Sequence, residues 1–375
     1  MRVAIVHEWL HTVAGGERVL EQLLACYPQA DLFCTVDFLP DAERGFLGGR
    51  PVHTSFIQRL PFARRKFRAY LGLMPLAVEQ HDLSGYDLVI SSNHAVAKGA
   101  ITGPDTLHVS YVHSPMRYAW DLQHQYLRQT GLDRGLKGWY ARWQLSKLRQ
   151  WDVRAANGVD IFVANSTYVA RRILKCYRRD AEVIPPPVDI SGFQPSGQRS
   201  DAYLAASRMV PYKRMDLIAA AFARMPNRRL IIAGDGPERA RIEAAAQGAP
   251  NISFPGAVDD AGMIRLMREA RAYVFAGEED FGIMLVEAQA SGTPVLAFGR
   301  GGARDILDDG PAPTGLFFAE QTPEAIITAV EDFEARETDF APAACRANSV
   351  RFSRETFRDR ITGLVDRAMA ARDAR

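Results

Sequence analysis

The sequence predicts an α/β protein with two doubly wound parallel sheets, and two observations carry this prediction. Short apolar segments alternate with helical patterns along most of the chain. Pro185, Pro186 and Pro187 interrupt the alternation near its middle, where neither a helix nor a central strand can continue. A chain of 375 residues also favours two domains of about 180 residues each. We therefore expect two Rossmann-like domains with a cleft between them, a common place for a ligand.

The first half contains six candidate strands with helical patterns between them. The helical patterns include residues 17–26, 167–177 and a long amphipathic stretch at 136–154 that is rich in aromatic and basic residues. Because βα units in series form parallel sheets, this half is predicted to be one domain, residues 1–187. The candidate strands are residues 2–7, 30–35, 88–91, 107–112, 161–164 and 182–184.

A polar segment at residues 188–200 carries Gly, Pro and Ser and is predicted to be the linker. A second βα series follows and defines the second domain, residues 201–352. A terminal helix is predicted within 353–375, because Phe357, Ile361, Leu364 and Val365 recur at helical spacing. The candidate strands of the second series are residues 202–206, 230–233, 252–254, 272–275, 293–297 and 315–317.

Composition indicates an ordinary globular protein, with 47% hydrophobic and 24% charged residues. The four cysteines are scattered without a Cys-x-x-Cys, which predicts reduced core residues rather than a disulfide framework or a metal site. The chain starts directly with a candidate strand, so no signal peptide is expected. No apolar run reaches the roughly 18–20 residues of a membrane span. These features predict a cytoplasmic location.

Charge is distributed unevenly although the net charge is only +2. Residues 1–190 carry 23 basic and 18 acidic side chains, whereas the remainder carries 23 and 26. The basic excess is concentrated between Arg59 and Arg68, where cations alternate with apolar residues. Such a segment can lie on an anionic membrane surface, and a solvated face with a few core contacts explains it equally well. Peripheral attachment to the inner face of the cytoplasmic membrane is one expectation that follows.

Glu279 and Glu287 are separated by seven residues and follow a candidate strand. The first carboxylate is predicted in the loop after that strand, and the second inside the helix that the loop starts. Parallel sheets bind ligands outside the carboxyl ends of their strands. Two acids at this edge can accept hydrogen bonds from a polyol such as a sugar or a ribose.

Arg208 and Lys213 follow the first candidate strand of the second domain. A planar guanidinium and a compact ammonium suit a diphosphate, and they can stabilise the charge that develops when a nucleoside diphosphate leaves. Two surface bases near a helix start are the alternative. The downstream pair of glutamates favours the functional interpretation.

Two glycine-containing turns and one histidine lie at similar strand ends. Gly234 starts a Gly-Asp-Gly-Pro turn, and Gly15 and Gly16 precede the helical pattern at 17–26. Either turn can admit a phosphate to a helix start, but a plain tight turn explains each nearly as well. His113 follows the strand at 107–112, where it can bond a sugar hydroxyl or move a proton; a structural histidine is the alternative.

Several other site classes lack their patterns. The sequence has no Asp-x-Asp and no cysteine cluster, so a dedicated metal site is not expected. The Lys-containing phosphate loop and the Gly-x-Ser-x-Gly elbow are absent as well. Neither a cofactor nor a nucleic acid partner is expected.

Taken in order, these residues resemble the retaining GT-B glycosyltransferases of family 4. The ordered set comprises Gly15-Gly16, His113, Arg208 to Lys213, the Gly234 turn, and Glu279 with Glu287. Glu287 is followed by Ala-x-Ala-Ser-Gly-Thr-Pro-Val at residues 288–295. The resemblance covers nearly the whole chain. It implies two Rossmann-like domains that face a cleft and a terminal helix that crosses back to the first domain.

The resemblance also implies roles at the matching positions. Arg208 and Lys213 would hold the donor diphosphate, Glu279 would bond hydroxyls of the transferred sugar, and His113 would lie at the reaction centre. The remaining matching positions would bind the donor: Gly15 and Gly16 from the first domain, Gly234 in its turn, Val258 near the base, the backbone of Phe281, Gly282 and Ile283 near the sugar, and Glu287 at the ribose.

One position departs from the pattern, since many relatives carry Glu where this chain has Asp305. The segment from Val112 to Asp121 is most similar to bacterial mannosyltransferases that build O-antigen and exopolysaccharide. The resemblance therefore implies hexose transfer without a metal, with GDP-mannose as donor and a glycan or lipid-linked saccharide as acceptor. A UDP-sugar donor, a sugar-nucleotide epimerase and an idle sugar-nucleotide-binding scaffold remain the alternatives.

Overall fold

The computed structural model describes residues 1–195, 197 and 199–374. It divides into two compact units. The first contains Met1–Pro187 and the chain from Phe357 onward, and the second contains Val188–Thr356. Ser196 and Gln198 of the predicted linker and Arg375 of the predicted terminal helix lie outside the described residues.

The first unit has a seven-stranded sheet in which every neighbouring pair is parallel. The strand order is β3-β2-β1-β4-β5-β6-β7, so the direction of winding reverses between β1 and β4. β3 was not predicted, because three partly exposed residues give no apolar run. The strands are β1 (Val3–His7), β2 (Asp31–Cys34), β3 (Val52–Thr54), β4 (Leu88–Asn93), β5 (Leu107–Val112), β6 (Ile161–Ala164) and β7 (Ala181–Val183).

Helices and short helical turns connect these strands. The segment between β3 and β4 forms short turns rather than one long helix, and its basic side chains Arg64, Arg65, Lys66 and Arg68 are exposed. The helices are α1 (Gly15–Cys26), α2 (Ala63–Lys66), α3 (Met74–Glu79), α4 (Gln123–Gln129), α5 (Gly135–Ala156) and α6 (Thr167–Tyr177). Turns of 3-10 helix occupy Asp41–Leu47, Phe56–Arg59, Phe67–Leu73 and Ala97–Gly99.

The second unit repeats the design with six parallel strands in the order β10-β9-β8-β11-β12-β13. Its winding reverses between β8 and β11. The strands are β8 (Tyr203–Ala206), β9 (Leu230–Ala233), β10 (Ile252–Gly256), β11 (Tyr273–Phe275), β12 (Val295–Phe298) and β13 (Gly315–Phe318). The helices are α7 (Met215–Ala223), α8 (Arg239–Ala246), α9 (Asp260–Glu269), α10 (Ile283–Ala290), α11 (Ala303–Ile306), α12 (Pro323–Ala335) and α13 (Pro342–Ser349). Further 3-10 turns occupy Pro211–Lys213, Glu337–Asp339 and Val350–Phe352.

The final helix, α14 (Arg354–Asp373), belongs to the first unit from Phe357 onward. Phe357, Ile361 and Leu364 are buried in the same apolar cluster as β1 and α1. The Phe357 ring also packs edge-on against Tyr111 of β5, with ring centroids 5.6 Å apart. The apolar spacing that predicted this helix is therefore its packing face against the first sheet.

Burial of the cysteines agrees only in part with the sequence expectation. All four are free, but only Cys34 and Cys345 are buried, whereas Cys26 and Cys176 are half-exposed on helices. Burial raises the pKa of the Cys26 thiol to about 11. Along the described part of the chain, no helix combines the length and the apolar character needed to cross a bilayer.

Candidate functional site

Both sheets place their polar, chemistry-bearing residues where the strand order reverses. In the second unit the loops after β8 and β11 carry Lys213 and Glu279. In the first unit β1 ends at His7, β4 ends just beyond Ser92, and His113 follows β5. Crevices at such reversal points are the usual ligand sites of open parallel sheets.

In the second unit, close backbone contacts join the loops at this edge. Gly234 has a φ of +122°, and a β-carbon there would lie 2.0 Å from the carbonyl oxygen of Ser207, so only glycine fits between the two loops. The amide of Met209 donates to the carbonyl of Asp235 at 2.8 Å. The turn that starts at Gly234 thus supports the segment carrying Arg208.

Lys213 and Glu279 form an ion pair across the two central loops. Their side chains are only 12% and 17% exposed, so both are partly desolvated. The Lys213 ammonium also lies 5.4 Å from the centre of the Phe275 ring. Arg208 is exposed and has no ion-pair partner among residues 1–195, 197 and 199–374. The predicted cations and the first glutamate are therefore close, with one guanidinium available to an anion.

Glu287 lies on α10, one helical segment beyond Glu279, and is half-buried. Burial raises the pKa of its carboxyl to about 7, and the nearby charges of Asp260 and Asp189 act in the same direction. In the described part of the chain no hydrogen-bond donor contacts this carboxylate. A ligand hydroxyl that donated to Glu287 would stabilise its charged form.

The remaining donor-binding predictions lie around these two acids. Gly282 has a φ of +113° and is the residue before the first turn of α10, and Phe281 beside it is buried. Ile283 is the first residue of α10 and is partly buried. Val258 follows β10 and is partly buried, just before Asp260 begins α9. Which ligand atoms these residues meet stays a prediction.

The loop after β12 closes tightly on the Glu279 segment. The amide of Gly302 donates to the carbonyl of Glu279 at 2.9 Å. A β-carbon at Gly301, where φ is +69°, would lie 2.2 Å from that same carbonyl oxygen. Asp305 follows on α11, which has only four residues. These contacts fix the backbone of Glu279.

In the first unit, His113 belongs to a hydrogen-bonded chain that includes two residues the sequence did not single out. Its Nε2 lies 2.9 Å from the Ser92 hydroxyl, which lies 3.1 Å from Nδ1 of His7. Nε2 of His7 is 3.5 Å from a carboxylate oxygen of Glu17. Burial, together with the neighbouring imidazoles His94 and His7, holds the pKa of His113 well below its usual range. His113 is therefore neutral at physiological pH.

This chain favours one arrangement of protons. A negative carboxylate near Nε2 of His7 favours a proton on that nitrogen, which leaves Nδ1 as an acceptor for the Ser92 hydroxyl. The Ser92 oxygen then accepts from Nε2–H of His113. Nδ1 of His113 remains as a hydrogen-bond acceptor with no partner among the described residues. His7 and Ser92 each end or nearly end a strand, a signal that could have identified them.

Gly16 opens directly onto these imidazoles. A β-carbon at Gly16 would lie 3.8 Å from Nε2 of His113 and 3.8 Å from Cε1 of His7. Gly15 is the first residue of α1, so both glycines lie in the first turn of that helix rather than before it. The Glu17 carboxylate accepts a hydrogen bond from the amide of Ala14 at 2.9 Å, which fixes this turn. The structure thus brings Gly16 and His113 together.

Glu8 is a further residue that sequence patterns did not reveal. Its carboxylate is fully buried and accepts four backbone hydrogen bonds, from His94 at 2.9 Å, Ala95 at 2.6 Å, Val96 at 2.9 Å and Ala97 at 3.1 Å. It therefore holds the loop after β4 and with it His94, whose ring centroid lies 6.2 Å from that of His113.

The described residues at the two edges offer no metal-binding cluster. Among the described residues, no set of three or more His, Cys, Asp or Glu side chains is placed to hold a metal ion. At the second unit's edge, Arg208 and Lys213 carry positive charges that a bound anion can meet.

Two family models match consecutive parts of this chain. The model described as Glycosyltransferase Family 4 matches residues 13–191, and the model described as Glycosyl transferases group 1 matches residues 192–349. Their junction lies within four residues of the boundary between the two units. The chain belongs to glycosyltransferase family 4. The resemblance seen in the sequence is thereby confirmed.

Curated relatives of this family member share part of its length. A phosphatidyl-myo-inositol mannosyltransferase of Mycolicibacterium smegmatis is 33% identical over 202 residues, which are 50% of this chain and 52% of that protein. A D-inositol 3-phosphate glycosyltransferase of Paenarthrobacter aurescens is 27% identical over 250 residues, which are 56% and 60% of the two chains. The chain thus matches about half the length of these relatives.

Solved structures match nearly all of this family 4 chain. Sucrose-phosphate synthase from Thermosynechococcus elongatus has a TM-score of 0.72 at 18% identity, covering 99% of this chain and 100% of that one. Anabaena HepE in complex with UDP has a TM-score of 0.71 at 18% identity, covering 98% and 100%. This likeness establishes the GT-B fold with two Rossmann-like domains, as predicted.

Proposed function

We propose that this protein is a retaining, metal-independent hexosyltransferase of bacterial surface polysaccharide synthesis. It transfers mannose from GDP-mannose to a glycan or lipid-linked saccharide at the inner face of the cytoplasmic membrane. The observation that carries the proposal is the Lys213–Glu279 pair at the second unit's reversal point, with the exposed Arg208 on the same loop as Lys213.

The cationic loop supports binding and departure of a nucleoside diphosphate. A diphosphate offers Lys213 a second anionic partner, so the ammonium can shift from Glu279 towards the phosphate oxygens. Arg208 adds a planar fork that matches a phosphate group. Both cations then stabilise the charge that develops on the leaving diphosphate, a role that elsewhere is often filled by a metal ion.

Glu279 and Glu287 serve binding in this proposal. Once Lys213 engages phosphate, the Glu279 carboxylate can accept hydrogen bonds from hydroxyls of the sugar. In this role Glu279 orients the sugar and does not attack it. Glu287 accepts hydrogen bonds from the ribose, and the lack of a donor to its carboxylate among the described residues supports this role.

The acceptor hydroxyl is deprotonated by the departing phosphate on the same face of the sugar. The bond from the anomeric carbon to the phosphate oxygen breaks, and a bond to the acceptor oxygen forms. The acceptor proton moves to the phosphate oxygen, so the anomeric configuration is retained. Neutral His113 accepts a hydrogen bond from a sugar hydroxyl at Nδ1 and adds no positive charge to the site.

Mannose as the transferred sugar draws support from the relatives described as mannosyltransferases. A UDP-sugar donor is the second candidate, since HepE was solved with UDP and with UDP-glucose. A screen of sugar nucleotides by thermal shift separates the two. The proposal predicts that GDP-mannose raises the melting temperature most. The proposal is contradicted if no sugar nucleotide changes the melting temperature and none is hydrolysed or transferred.

Two further outcomes separate the remaining alternatives. A sugar-nucleotide epimerase would convert the donor without an acceptor, which product analysis by NMR detects. A non-catalytic scaffold would bind the donor but leave an authentic acceptor unmodified. Membrane attachment rests on the exposed cations between Arg59 and Arg68. Failure to sediment with anionic vesicles at low salt contradicts that part of the proposal.

A further inference from the structure

The first unit contains a large apolar cavity that the proposed donor chemistry does not use. Its volume is about 990 Å³, at the upper end of the roughly 300–1,000 Å³ typical of small-molecule sites. Trp9, Leu71, Met74, Leu145 and Leu148 contribute to its wall, which is overwhelmingly apolar. All of its lining residues lie between Trp9 and Leu148, so the cavity belongs to the first unit alone.

One unpaired polar group and two cations interrupt this apolar wall. The hydroxyl of Tyr118 is buried and has no hydrogen-bond partner among the described residues. Arg68 and Lys137 also line the cavity, and no ion-pair partner of either is described. Burying a hydroxyl without a hydrogen-bond partner costs free energy, so we expect a ligand group or a water molecule to hydrogen-bond to it. The two cations give this ligand a preferred negative charge.

The first half of α5 borders the cavity and presents unusual side chains to solvent. Leu136 is 89% exposed, Trp139 68% and Trp143 45%, at the spacing of one helical face. Tryptophan at a surface is typical of the boundary between water and lipid. The second half of the same helix buries Leu148 and Ala156. The first half of this helix therefore has three apolar side chains on one side that the described residues leave uncovered, although apolar residues are not confined to one face of the whole helix.

The cavity also reaches the imidazoles of the candidate reaction centre. Trp9 and His94 both line it, and their ring centroids are 4.7 Å apart in an edge-on contact. His94 in turn packs edge-on towards His113, with centroids 6.2 Å apart. A molecule in this cavity would therefore have one end close to His113.

We propose that this cavity binds the hydrocarbon chain of a phosphorylated lipid acceptor. Arg68 and Lys137 bind its phosphate, Tyr118 hydrogen-bonds its polar end, and the chain fills the apolar space beside α5. This inference rests on the proposed glycosyl transfer, because it assigns the acceptor class of that reaction. The position near His113 favours the acceptor lipid over a bulk bilayer lipid as occupant.

Calorimetric titration of the purified protein tests the proposal directly. The probes are farnesyl phosphate, farnesol and inorganic phosphate. We expect saturable binding of farnesyl phosphate, weaker binding of farnesol by about tenfold, and no measurable binding of inorganic phosphate at the same concentrations. Equal binding of inorganic phosphate and farnesyl phosphate would overturn the proposal, because the chain would then contribute nothing.

A substitution that fills the cavity provides the decisive comparison. Ala141→Trp adds an indole to the lining, and we expect it to weaken farnesyl phosphate binding at least about tenfold. Thr130→Trp does the same from another part of the wall and serves if the first variant fails to fold. Ser146→Trp is the matched control, since Ser146 is a half-buried α5 residue outside the lining. Binding by both cavity variants at the wild-type level would overturn the proposal.

Two further measurements identify the source of the lipid and separate this inference from the donor chemistry. If the occupant is the acceptor, Ala141→Trp still sediments with phosphatidylglycerol vesicles within about twofold of wild type. Parallel loss of vesicle sedimentation and farnesyl phosphate binding would instead assign the cavity to bilayer lipid and overturn the acceptor role. Thermal shift with GDP-mannose reports the donor separately. Absence of a shift with GDP-mannose and with every other sugar nucleotide, beside intact farnesyl phosphate binding, would reject the proposed function and leave the lipid cavity standing.

Discussion

Both sheets carry polar side chains where their strand order reverses, but the side chains at the two edges differ in chemistry. The edge of the second sheet carries formal charges, with Arg208, Lys213 and Glu279 partly exposed. The edge of the first sheet carries imidazoles and a hydroxyl that are hydrogen-bonded to one another, in the chain from His7 through Ser92 to His113. A charged edge suits a diphosphate, whereas an edge of hydrogen-bonding imidazole and hydroxyl groups suits the hydroxyls of a ligand. The same sheet architecture therefore does not determine the site chemistry.

Two ion pairs make the difference more concrete. Lys98 and Asp152 are fully buried in the first unit, and Asp152 also accepts hydrogen bonds from Trp120 at 2.8 Å and Tyr177 at 2.9 Å. The Lys213–Glu279 pair of the second unit has fewer partners and remains partly exposed. A saturated buried pair is structural, whereas a pair with spare capacity can exchange a partner for a ligand.

Asp152→Ala is expected to have the largest effect on stability. It leaves the buried Lys98 ammonium and two buried donors without an acceptor, which costs about 3–5 kcal/mol. Glu279→Ala removes a carboxylate from a pair that keeps some solvent exposure and has fewer partners, so it should cost less than Asp152→Ala. Urea unfolding of the two variants measures both values. Equal destabilisation would remove the distinction between the two pairs.

Lys213→Ala is expected to have the largest effect on turnover. Loss of one cation that stabilises the leaving diphosphate should lower kcat by about 10²–10³-fold. The melting temperature should stay within a few degrees, because Lys213 is not part of a saturated buried network. Lys175→Ala, an exposed lysine on α6, is the control. Transfer by Lys213→Ala within tenfold of wild type would contradict the assignment.

Glu287→Gln should change stability in a pH-dependent way. The folded-state pKa of about 7 exceeds the ordinary value of 4.5, so the folded protein retains this proton more strongly than the unfolded chain. The associated stability is fully present below about pH 4.5 and is lost as the pH rises through 7.

The glutamine variant does not lose this stability. The free energy of unfolding of the variant, relative to that of wild type, should therefore increase with pH by at most about 3 kcal/mol up to pH 8. Melting temperatures at pH 5 and pH 8 measure the trend, with the exposed Glu320→Gln as control. An advantage that is constant with pH would show that Glu287 ionises normally. Donor affinity should fall in the same variant, since an amide is a weaker acceptor for the ribose.

Ser92→Ala should have the smallest effect, about a tenfold loss in kcat/KM. It removes the common partner of His7 and His113 and leaves the proton on either nitrogen of His113. Nitrogen NMR of the histidine rings should show mixed tautomers in the variant and one tautomer in wild type. Ser110→Ala is the control, since its hydroxyl is buried without a described partner. A single unchanged tautomer would refute the relay.

Most of the fold could be predicted because both sheets consist of buried parallel strands, which read as short apolar runs. β5, β6 and β9 have the predicted bounds, and most other predicted strands differ from the observed ones by one or two residues at an end. β3 was missed because Val52–Thr54 is too short and too exposed to give this signal. The order of the strands was beyond reach, since it depends on pairing between distant segments.

By itself the sequence determined the α/β class, the break after Pro187 and the strand ends that carry Glu279, Lys213 and His113. It could do so because apolar periodicity and proline act locally. Only the tertiary structure decided that Lys213 pairs with Glu279, and that Ser92 links His7 to His113 across 85 and 21 residues. It also decided that α5 leaves aromatic side chains beside an apolar cavity. Such contacts depend on strand order and helix packing, which no local pattern encodes.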